Sequence, residues 1–359
     1  MTIPHAWHHD QECMDSKTIP LKQNWYKLDN VFFNTAEHFV WFKKQTDTPY
    51  QFYNNIILVH SEFNSVDIKI LQENGYIPVH WFSHAAVARD WYRYAEHDLL
   101  LNPQHRTFEK RFLIYNRAWA GSREYRIKFA EMLATHQLLE QCKTSFGFMD
   151  NDLHYSKHVF KNASWQPDIV LEDHFNANTY SSSSSADYNS HDYCTTAIEV
   201  VLETIFDYEK IHLTEKTLRA IATGTPFILV GAANALTYLK RYGFETFDPW
   251  INEKYDQESD PVTRMQMIID EMSRLKKLDR SEFTEVMNQC FAIAQRNKDR
   301  FFSSEFFDLV INEYRQGMNS AVETCKESIS LQHWEKYLEQ NGKIPGDVSA
   351  VLRHFDLPQ

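Results

Sequence analysis

Glycine is scarce in this chain: there are nine in 359 residues, well below the ~7% usual in globular proteins. No GxGxxG and no GxxxxGK[ST] can be written anywhere in it. Both fingerprints need glycine where backbone approaches phosphate, so the dinucleotide fingerprint and the Walker loop are excluded. A phosphate, if bound, must be held largely by side chains. Cysteine is sparse as well: Cys13, Cys142, Cys194, Cys290 and Cys325 are odd in number and form no CxxC pair. That excludes a zinc-chelating or redox pair of the usual spacing and leaves reduced structural thiols. Long apolar runs are missing, since no stretch approaches the ~18 apolar residues of a membrane span. The opening MTIPHAWHHDQEC has no basic patch followed by an apolar run, so neither a signal peptide nor a membrane segment is read. The expectation is a cytoplasmic chain with no membrane partner, in which the sequon at Asn162 and Ser164 carries no glycan.

What is present is enough apolar residue, 43%, for two domains of ordinary size. Asn55–His60 is a short apolar run, Ser65–Asn74 has helical spacing, Gly75 sits where a helix stops, and Tyr76–Phe82 is apolar again. Strand, helix, strand in that order is the unit of a parallel α/β sheet. Phe39–Lys43 reads as a further strand, and Ala85–Leu101 as one long amphipathic stretch. A second series follows, with strands expected at Arg111–Tyr115, Thr144–Phe148, Asp168–Glu172, Ala197–Leu202 and Pro226–Val230. Helices are expected at Arg123–Gln141, Glu215–Thr223 and Asn234–Arg241. From Asp260 onward the spacing is helical throughout: Pro261–Leu278, Ser281–Phe302, Glu305–Ser328 and Leu331–Asn341. The serine run Tyr180–Asp187 is too polar for a core and reads as a surface loop or a lid. The fold class is α/β with a mostly parallel sheet and a helical C-terminal region.

The net charge is −12, which argues against a chain that coats itself with nucleic acid. Basic residues are nonetheless concentrated between Arg89 and Lys128, nine against five acids. This is either a set of basic helix faces or an anion-binding face.

Three constellations carry chemistry. Tyr115-Asn116-Arg117 through Ser122-Arg123 follows an apolar strand and precedes a helix. Its arginines therefore stand at the carboxyl end of a sheet, where open α/β folds bind ligands, and the guanidinium fork suits phosphate. Pairing with nearby acids is the alternative use of both. The second comprises Glu203-Thr204, then Leu213-Thr214-Glu215-Lys216-Thr217, then Gly224-Thr225-Pro226-Phe227. Thr214 is a good N-cap, and a carboxylate, an ammonium and a hydroxyl collect at the helix's positive end. Glu215 can hold sugar hydroxyls while Lys216 and Thr217 take phosphate oxygens, and an ordinary capped helix is the alternative. The third, Tyr242–Trp250 followed by Glu253, Tyr255, Asp256 and Arg264, mixes small, aromatic and acidic residues as a loop beside a pocket does, or as a structural loop packed on its neighbours does. Asp248, Glu253 and Asp256 could coordinate a hard cation, but carboxylates at these spacings are common, and no metal is expected.

Together these motifs resemble a group of glycosyltransferase-like proteins found largely in phages and some bacteria. The Thr-Glu-Lys segment is also similar to one in the nucleotide-sugar half of fucosyltransferase-like enzymes. The resemblance covers residues 111–270, about 45% of the chain. It implies a GT-B arrangement of two Rossmann-like lobes: residues 1–105 as the acceptor-side α/β lobe, 106–258 as the nucleotide-sugar lobe, and 259–359 as a helical region. It also implies a nucleotide-diphosphate sugar as donor, a UDP-sugar being the leading choice, with Arg117 and Lys216 neutralising the diphosphate and Arg123 assisting. Glu215 and Glu203 would touch ribose or sugar, beside Thr214 and Thr217. Such enzymes commonly work without metal, because cationic side chains and helix dipoles stabilise the departing diphosphate. The segment Ala118–Gly121 departs from the more basic or proline-containing one the family implies.

Transfer also needs a base. His60 and His84 lie at the ends of the first two clear strands, and Glu172 closes an expected strand in the second series, so these three are the catalytic candidates. A phage-encoded enzyme would act in the host cytoplasm, and its acceptor could be a hydroxymethylated pyrimidine in DNA, contacted by the basic segment. The acidic net charge favours a protein, glycan or small-molecule acceptor instead. A non-catalytic nucleotide-binding or interaction protein is the reading from another class.

Overall fold

The computed structural model describes residues 31–36, 55–73, 76–176 and 186–328. The expected strand at 39–43, Gly75, residues 180–185 of the serine run and the expected helix at 331–341 lie outside them. The chain is a mixed α/β protein with parallel sheets and a helical C-terminal region. It divides into two compact units, residues 1–83 with 310–359 and residues 84–309. The expected boundary after residue 105 falls inside the second unit. Among the described residues no helix is long and apolar enough to cross a membrane.

The first unit holds a three-stranded parallel sheet of β1 (Val31–Ala36), β2 (Asn55–His60) and β3 (Tyr76–His80), with β2 in the centre. Ile57, Leu58 and Val59 of β2 are all buried, which is why the run is continuously apolar rather than alternating. Helix α1 (Val66–Glu73) connects β2 to β3.

The second unit is built on a four-stranded parallel sheet in the order β5-β4-β8-β9 in the numbering used here. After helix α2 (Ser83–Trp91), the chain runs through β4 (Lys110–Asn116), α3 (Tyr125–Thr135) and β5 (Cys142–Phe146). The two-residue strands β6 (Met149–Asp150) and β7 (Leu153–His154) then form a hairpin, followed by α4 (Ser190–Thr195) and β8 (Thr196–Leu202). Helix α5 (Glu215–Ala222) leads to β9 (Phe227–Val230), and α6 (Ala235–Lys240), α7 (Pro261–Lys277), α8 (Arg280–Phe302) and α9 (Ser304–Ser328) complete the described chain. The path goes from β4 outward to β5, then back across β4 to β8. The order therefore reverses between β4 and β8, and the crevice at their carboxyl ends is the topological switch point where such sheets bind ligands.

Three expectations differ from what forms. The amphipathic stretch 85–101 is not one helix: α2 ends at Trp91 and short 3-10 turns follow at Arg93–His97, Leu99–Leu101 and Pro103–His105. Asp98 is extended and its side chain caps Leu100 N, and Leu99 and Leu100, which supplied the apolar spacing, are 70% and 52% exposed. Residues 168–172 form no strand. Their amides go to side chains, Asp168 N to Glu131 Oε2 at 3.0 Å and Leu171 N to the Tyr155 hydroxyl at 2.9 Å, before the 3-10 turn Leu171–Asp173. The helix expected to run to Gln141 stops at Thr135 because Gln137 adopts a φ of +55°, a left-handed conformation that no α-helix continues through.

The centre of the second unit carries a buried ion pair. Glu199 of β8 and Arg219 of α5 meet at 2.7 Å, Tyr193 donates to the same carboxylate at 2.8 Å, and the guanidinium stacks over the Tyr115 ring at 4.7 Å. Removing one member of such a pair leaves an uncompensated buried charge, at a cost of about 3–5 kcal/mol. Arg219→Met is therefore expected to lower stability by that amount in urea denaturation. The double variant Glu199→Gln/Arg219→Met recovers part of the loss.

Candidate functional site

The site is assembled from two connections at the switch point. Glu203 follows β8 directly and is fully buried. Its Oε1 accepts from Thr214 N at 3.0 Å, Thr217 N at 3.3 Å and Thr217 Oγ1 at 2.5 Å. Its Oε2 accepts from Thr214 Oγ1 at 2.6 Å and Thr204 N at 3.2 Å. The carboxylate thus sits against the first turn of α5, where the helix dipole favours negative charge. Glu203, Thr214 and Thr217 are consumed in fixing this junction, an internal use in place of the ligand contacts their sequence pattern suggested.

Lys216 projects from the same turn and its side chain is 20% exposed. Its Nζ donates to Glu215 Oε1 at 2.7 Å, Thr214 Oγ1 at 3.1 Å and Thr204 Oγ1 at 3.4 Å. Thr204 is the hinge between the two connections, because its carbonyl accepts from Ser122 Oγ at 3.0 Å. Ser122 belongs to the β4–α3 turn, so the arginine motif and the Thr-Glu-Lys motif share one crevice.

In that turn Arg117 and Arg123 are half-buried, and Arg123 Nε donates to Ala120 O at 3.2 Å. Burial, and then the neighbouring charges of Arg126 and Arg117, push the Arg123 guanidinium down to about 10, with Asp150 opposing. Arg126 and Arg117 thus lie close enough to disfavour the charge on Arg123, and an anion bound beside it would relieve that repulsion. Arg126, absent from the sequence-based site, braces the crevice from below. It donates to Ala118 O at 2.7 Å, Leu202 O at 2.5 Å and Glu203 O at 3.0 Å.

Asp150 is the second residue the sequence did not single out. Its Oδ2 accepts from two successive amides, Trp119 N at 2.8 Å and Ala120 N at 2.6 Å, and so fixes the segment between Arg117 and Arg123. The signal for it was Asn151-Asp152, both at positive φ, the chemistry of a tight two-residue hairpin.

The three catalytic candidates fall in different places. His84 stands at the start of α2 with Nδ1 3.7 Å from Glu215 Oε2, and its ring lies edge-on to His212 with centroids 5.0 Å apart. It thereby joins the Lys216 cluster. His60, at the end of β2 in the first unit, is buried, and its Nδ1 has no hydrogen-bond partner among the described residues. Burial and the neighbouring His80 lower it to about 4, against opposing effects of Glu62 and Glu313. Glu172 lies in a 3-10 turn rather than at a strand end. It accepts from the Tyr155 hydroxyl and pairs with His154 Nε2 at 3.2 Å, partners that it does not share with Lys216.

The basic segment 89–128 does not form one face. Arg89 caps the end of α8 through the carbonyls of Phe301, Phe302 and Ser303. Arg106 is buried on the carbonyls of Leu101, Tyr193, Thr223 and Gly224. Arg111 takes those of Leu275 and Leu278. Asp256 and Glu253, weighed as loop carboxylates, are internal too, with Asp256 on the amides of Leu236 and Thr237 and Glu253 on Phe247 N. Burial raises both above the usual carboxylate range. Among the described residues no group of three or more His, Cys, Asp or Glu is arranged to hold a metal ion.

Compared with family models, curated proteins and solved structures, the chain has no match.

Two measurements follow. Asp150→Ala is expected to cost about 1–3 kcal/mol, the penalty for buried donors left without an acceptor, and hydrogen exchange should show Trp119 and Ala120 losing protection together. For His60, the folded protein holds the imidazole neutral down to about 4 whereas the unfolded chain protonates it at its ordinary 6.5. The unfolded state then binds more protons between those values, so this contribution to stability is complete above pH 6.5 and falls away as pH drops toward 4. A plot of Tm against pH should be less steep in that window for His60→Gln.

Proposed function

We propose that the chain is a nucleotide-sugar-dependent glycosyltransferase of two Rossmann-like lobes in a GT-B-like arrangement, acting in the cytoplasm. The observation that carries this reading is that Thr204 is bonded both by Ser122, in the turn that carries Arg117 and Arg123, and by Lys216, at the carboxyl ends of β4 and β8. A parallel sheet presents ligands there, and three cations in one crevice suit a diphosphate.

In this reading the donor is a UDP-sugar or a related nucleotide-diphosphate sugar. Arg117 and Lys216 neutralise the diphosphate, with Arg123 beside them. The negative charge that grows on the departing nucleoside diphosphate is what most needs stabilising in the transition state, and fixed cations supply that without invoking a metal. Lys216 reaches the diphosphate by leaving Glu215, a short swing of one flexible side chain.

The acceptor favoured is an uncharged hydroxyl compound, glycan or protein side chain. The case for a hydroxymethylated pyrimidine in DNA rests on the phage-like resemblance and the basic segment 89–128, and three arginines of that segment are spent on carbonyl groups inside the second unit.

The test is a thermal-shift panel of UDP, GDP, CDP, ADP and their sugar conjugates, since a ligand of the folded state raises its apparent stability by mass action. One nucleotide diphosphate is expected to give a clear shift. Lys216→Ala should weaken its binding about ten- to a hundredfold, the ~1.5–3 kcal/mol of a charge-assisted hydrogen bond, measured on the folded variant, whose unliganded Tm falls because the buried Glu215 carboxylate loses its cation. A shift with no turnover of any sugar conjugate would instead indicate a nucleotide-binding protein without transferase activity, and no shift at all would remove the reading.

A further inference from the structure

The turn that follows β7 brings a hydroxyl, an imidazole and a carboxylate into one line of hydrogen bonds. Ser156 Oγ lies 2.8 Å from Nδ1 of His154, and Nε2 of the same ring lies 3.2 Å from Glu172 Oε1. The backbone decides which way the protons run. The amide of Ser156 also points at Nδ1, at 3.4 Å, and an amide nitrogen only donates, so Nδ1 carries the lone pair. Nε2 then carries the proton and donates to Glu172, while the Ser156 hydroxyl donates to Nδ1. A hydroxyl held by a base that is itself oriented by a third group is the arrangement that activates a serine.

The support is rigid. Glu172 Oε2 accepts from the Tyr155 hydroxyl, which in turn accepts from Leu171 N at 2.9 Å. Tyr155 and Leu171 are buried in one apolar cluster with Trp119, Phe146 and Phe175. The two 3-10 turns that carry Ser156 and Glu172 are therefore anchored by the residues beside them. Ser156 itself is exposed, and the His154 and Glu172 side chains are 27% and 37% exposed, so the hydroxyl is reached from solvent without unpacking anything. The rings of Tyr155 and Phe148, with centroids 4.9 Å and 6.1 Å from that of His154, give the approach an apolar side suited to an uncharged acyl group.

We propose that Ser156, His154 and Glu172 form a second active site in this chain, one that hydrolyses small uncharged carboxylic esters. Ser156 is the nucleophile, His154 the proton carrier and Glu172 a positioning residue for His154. The site uses none of Arg117, Arg123 or Lys216, so it stands or falls independently of the glycosyltransferase reading. Ser156 Oγ bonds to the ester carbonyl carbon as its proton passes to Nδ1 of His154. The tetrahedral adduct then collapses: the bond to the alcohol oxygen breaks, that oxygen takes the proton from Nδ1, and the acyl group remains on Ser156. Water completes the cycle in the same way. It gives a proton to Nδ1 as its oxygen bonds to the acyl carbon, the acid leaves, and the proton returns to Ser156 Oγ. Through both halves Glu172 holds the Nε2 proton, which keeps the lone pair of Nδ1 toward the serine.

The experiment uses the intact chain, p-nitrophenyl acetate as substrate and diisopropyl fluorophosphate as a covalent probe. The ester should be turned over with an initial burst of about one p-nitrophenol per chain, the mark of an acyl intermediate, and peptide mass spectrometry should place the phosphoryl adduct on Ser156. Ser156→Ala and His154→Gln should each lower the rate by the ~10²-fold or more expected for loss of nucleophile or base, with the double variant no worse than either, as for residues acting as a unit. Nitrogen-15 NMR, with His154 assigned by the loss of its signals in His154→Gln, should show the Nε2–H tautomer. Glu172→Gln should redistribute that tautomer and slow turnover by about tenfold or more, and Glu172→Asp should restore part of both. Hydrolysis that survives Ser156→Ala, an adduct elsewhere or none, a proton on Nδ1 of His154, or a Glu172→Gln variant with unchanged tautomer and rate would each overturn the inference. None of these results would touch the binding of a nucleotide diphosphate, which tests the other site.

Discussion

The second unit depends on one buried carboxylate. Glu203 is removed from water at the end of the central strand β8, a placement that would be prohibitive for an unpaired charge. Five donors, three of them amides, converge on its two oxygens, and the start of α5 contributes its dipole. The consequence is geometric. With Glu203 fixed, Thr204 is fixed, and Thr204 is where the β4–α3 turn and the Lys216 side chain both attach. The Glu203 main chain is held as firmly, its amide on Val230 O and its carbonyl under the Tyr125 hydroxyl and Arg126. Loss of that carboxylate would loosen the start of α5 and the Lys216 side of the crevice, while the β4–α3 turn keeps its own hold through Asp150 and Arg126.

Arginine plays the complementary part. Sheet edges and helix ends leave carbonyl groups to be satisfied, and in a chain with few glycines they are met here by guanidinium forks. Arg89, Arg106, Arg111, Arg126 and Arg264 each take carbonyl oxygens from at least two residues. Positive charge counted along the sequence is therefore a poor guide to positive charge on the surface. Arg117 and Arg123 differ from these capping residues in their place at the switch point, and a ligand's charge would be felt there.

How far the fold was legible follows from the same physics. The strands β2, β4, β8 and β9 and the helices α5 to α9 announce themselves because continuous apolar runs and capped amphipathic segments depend on local chemistry. Asp260, whose side chain accepts from Thr263 N at 2.7 Å, is one such local signal. The stretch 85–101 misled because exposed leucines have the same spacing as buried ones. The segment 168–172 misled because a strand is defined by its neighbours, and here the neighbours are Glu131 and Tyr155. For the site, the resemblance implied that the two motifs serve one diphosphate, and the connections that carry them touch at Ser122 and Thr204. Which side chains face inward was not legible. Thr217 and Lys216 are adjacent and both polar, and only the position of Glu203 decides that one is buried and the other is not.

The contact of Asp150 with the amides of Trp119 and Ala120 has a thermodynamic meaning beyond its geometry. In glycine-rich phosphate loops the successive backbone amides are kept for the ligand. Here they are already engaged by a carboxylate of the chain itself, on a hairpin whose turn residues commit it to one shape. The segment between the two arginines is thereby preorganised, so an anion of the kind proposed would meet cations whose backbone has little conformational entropy left to lose. Under the proposed function, affinity that would otherwise be spent on ordering a loop would be kept, and phosphate would be received on side chains in place of the glycines of a phosphate loop.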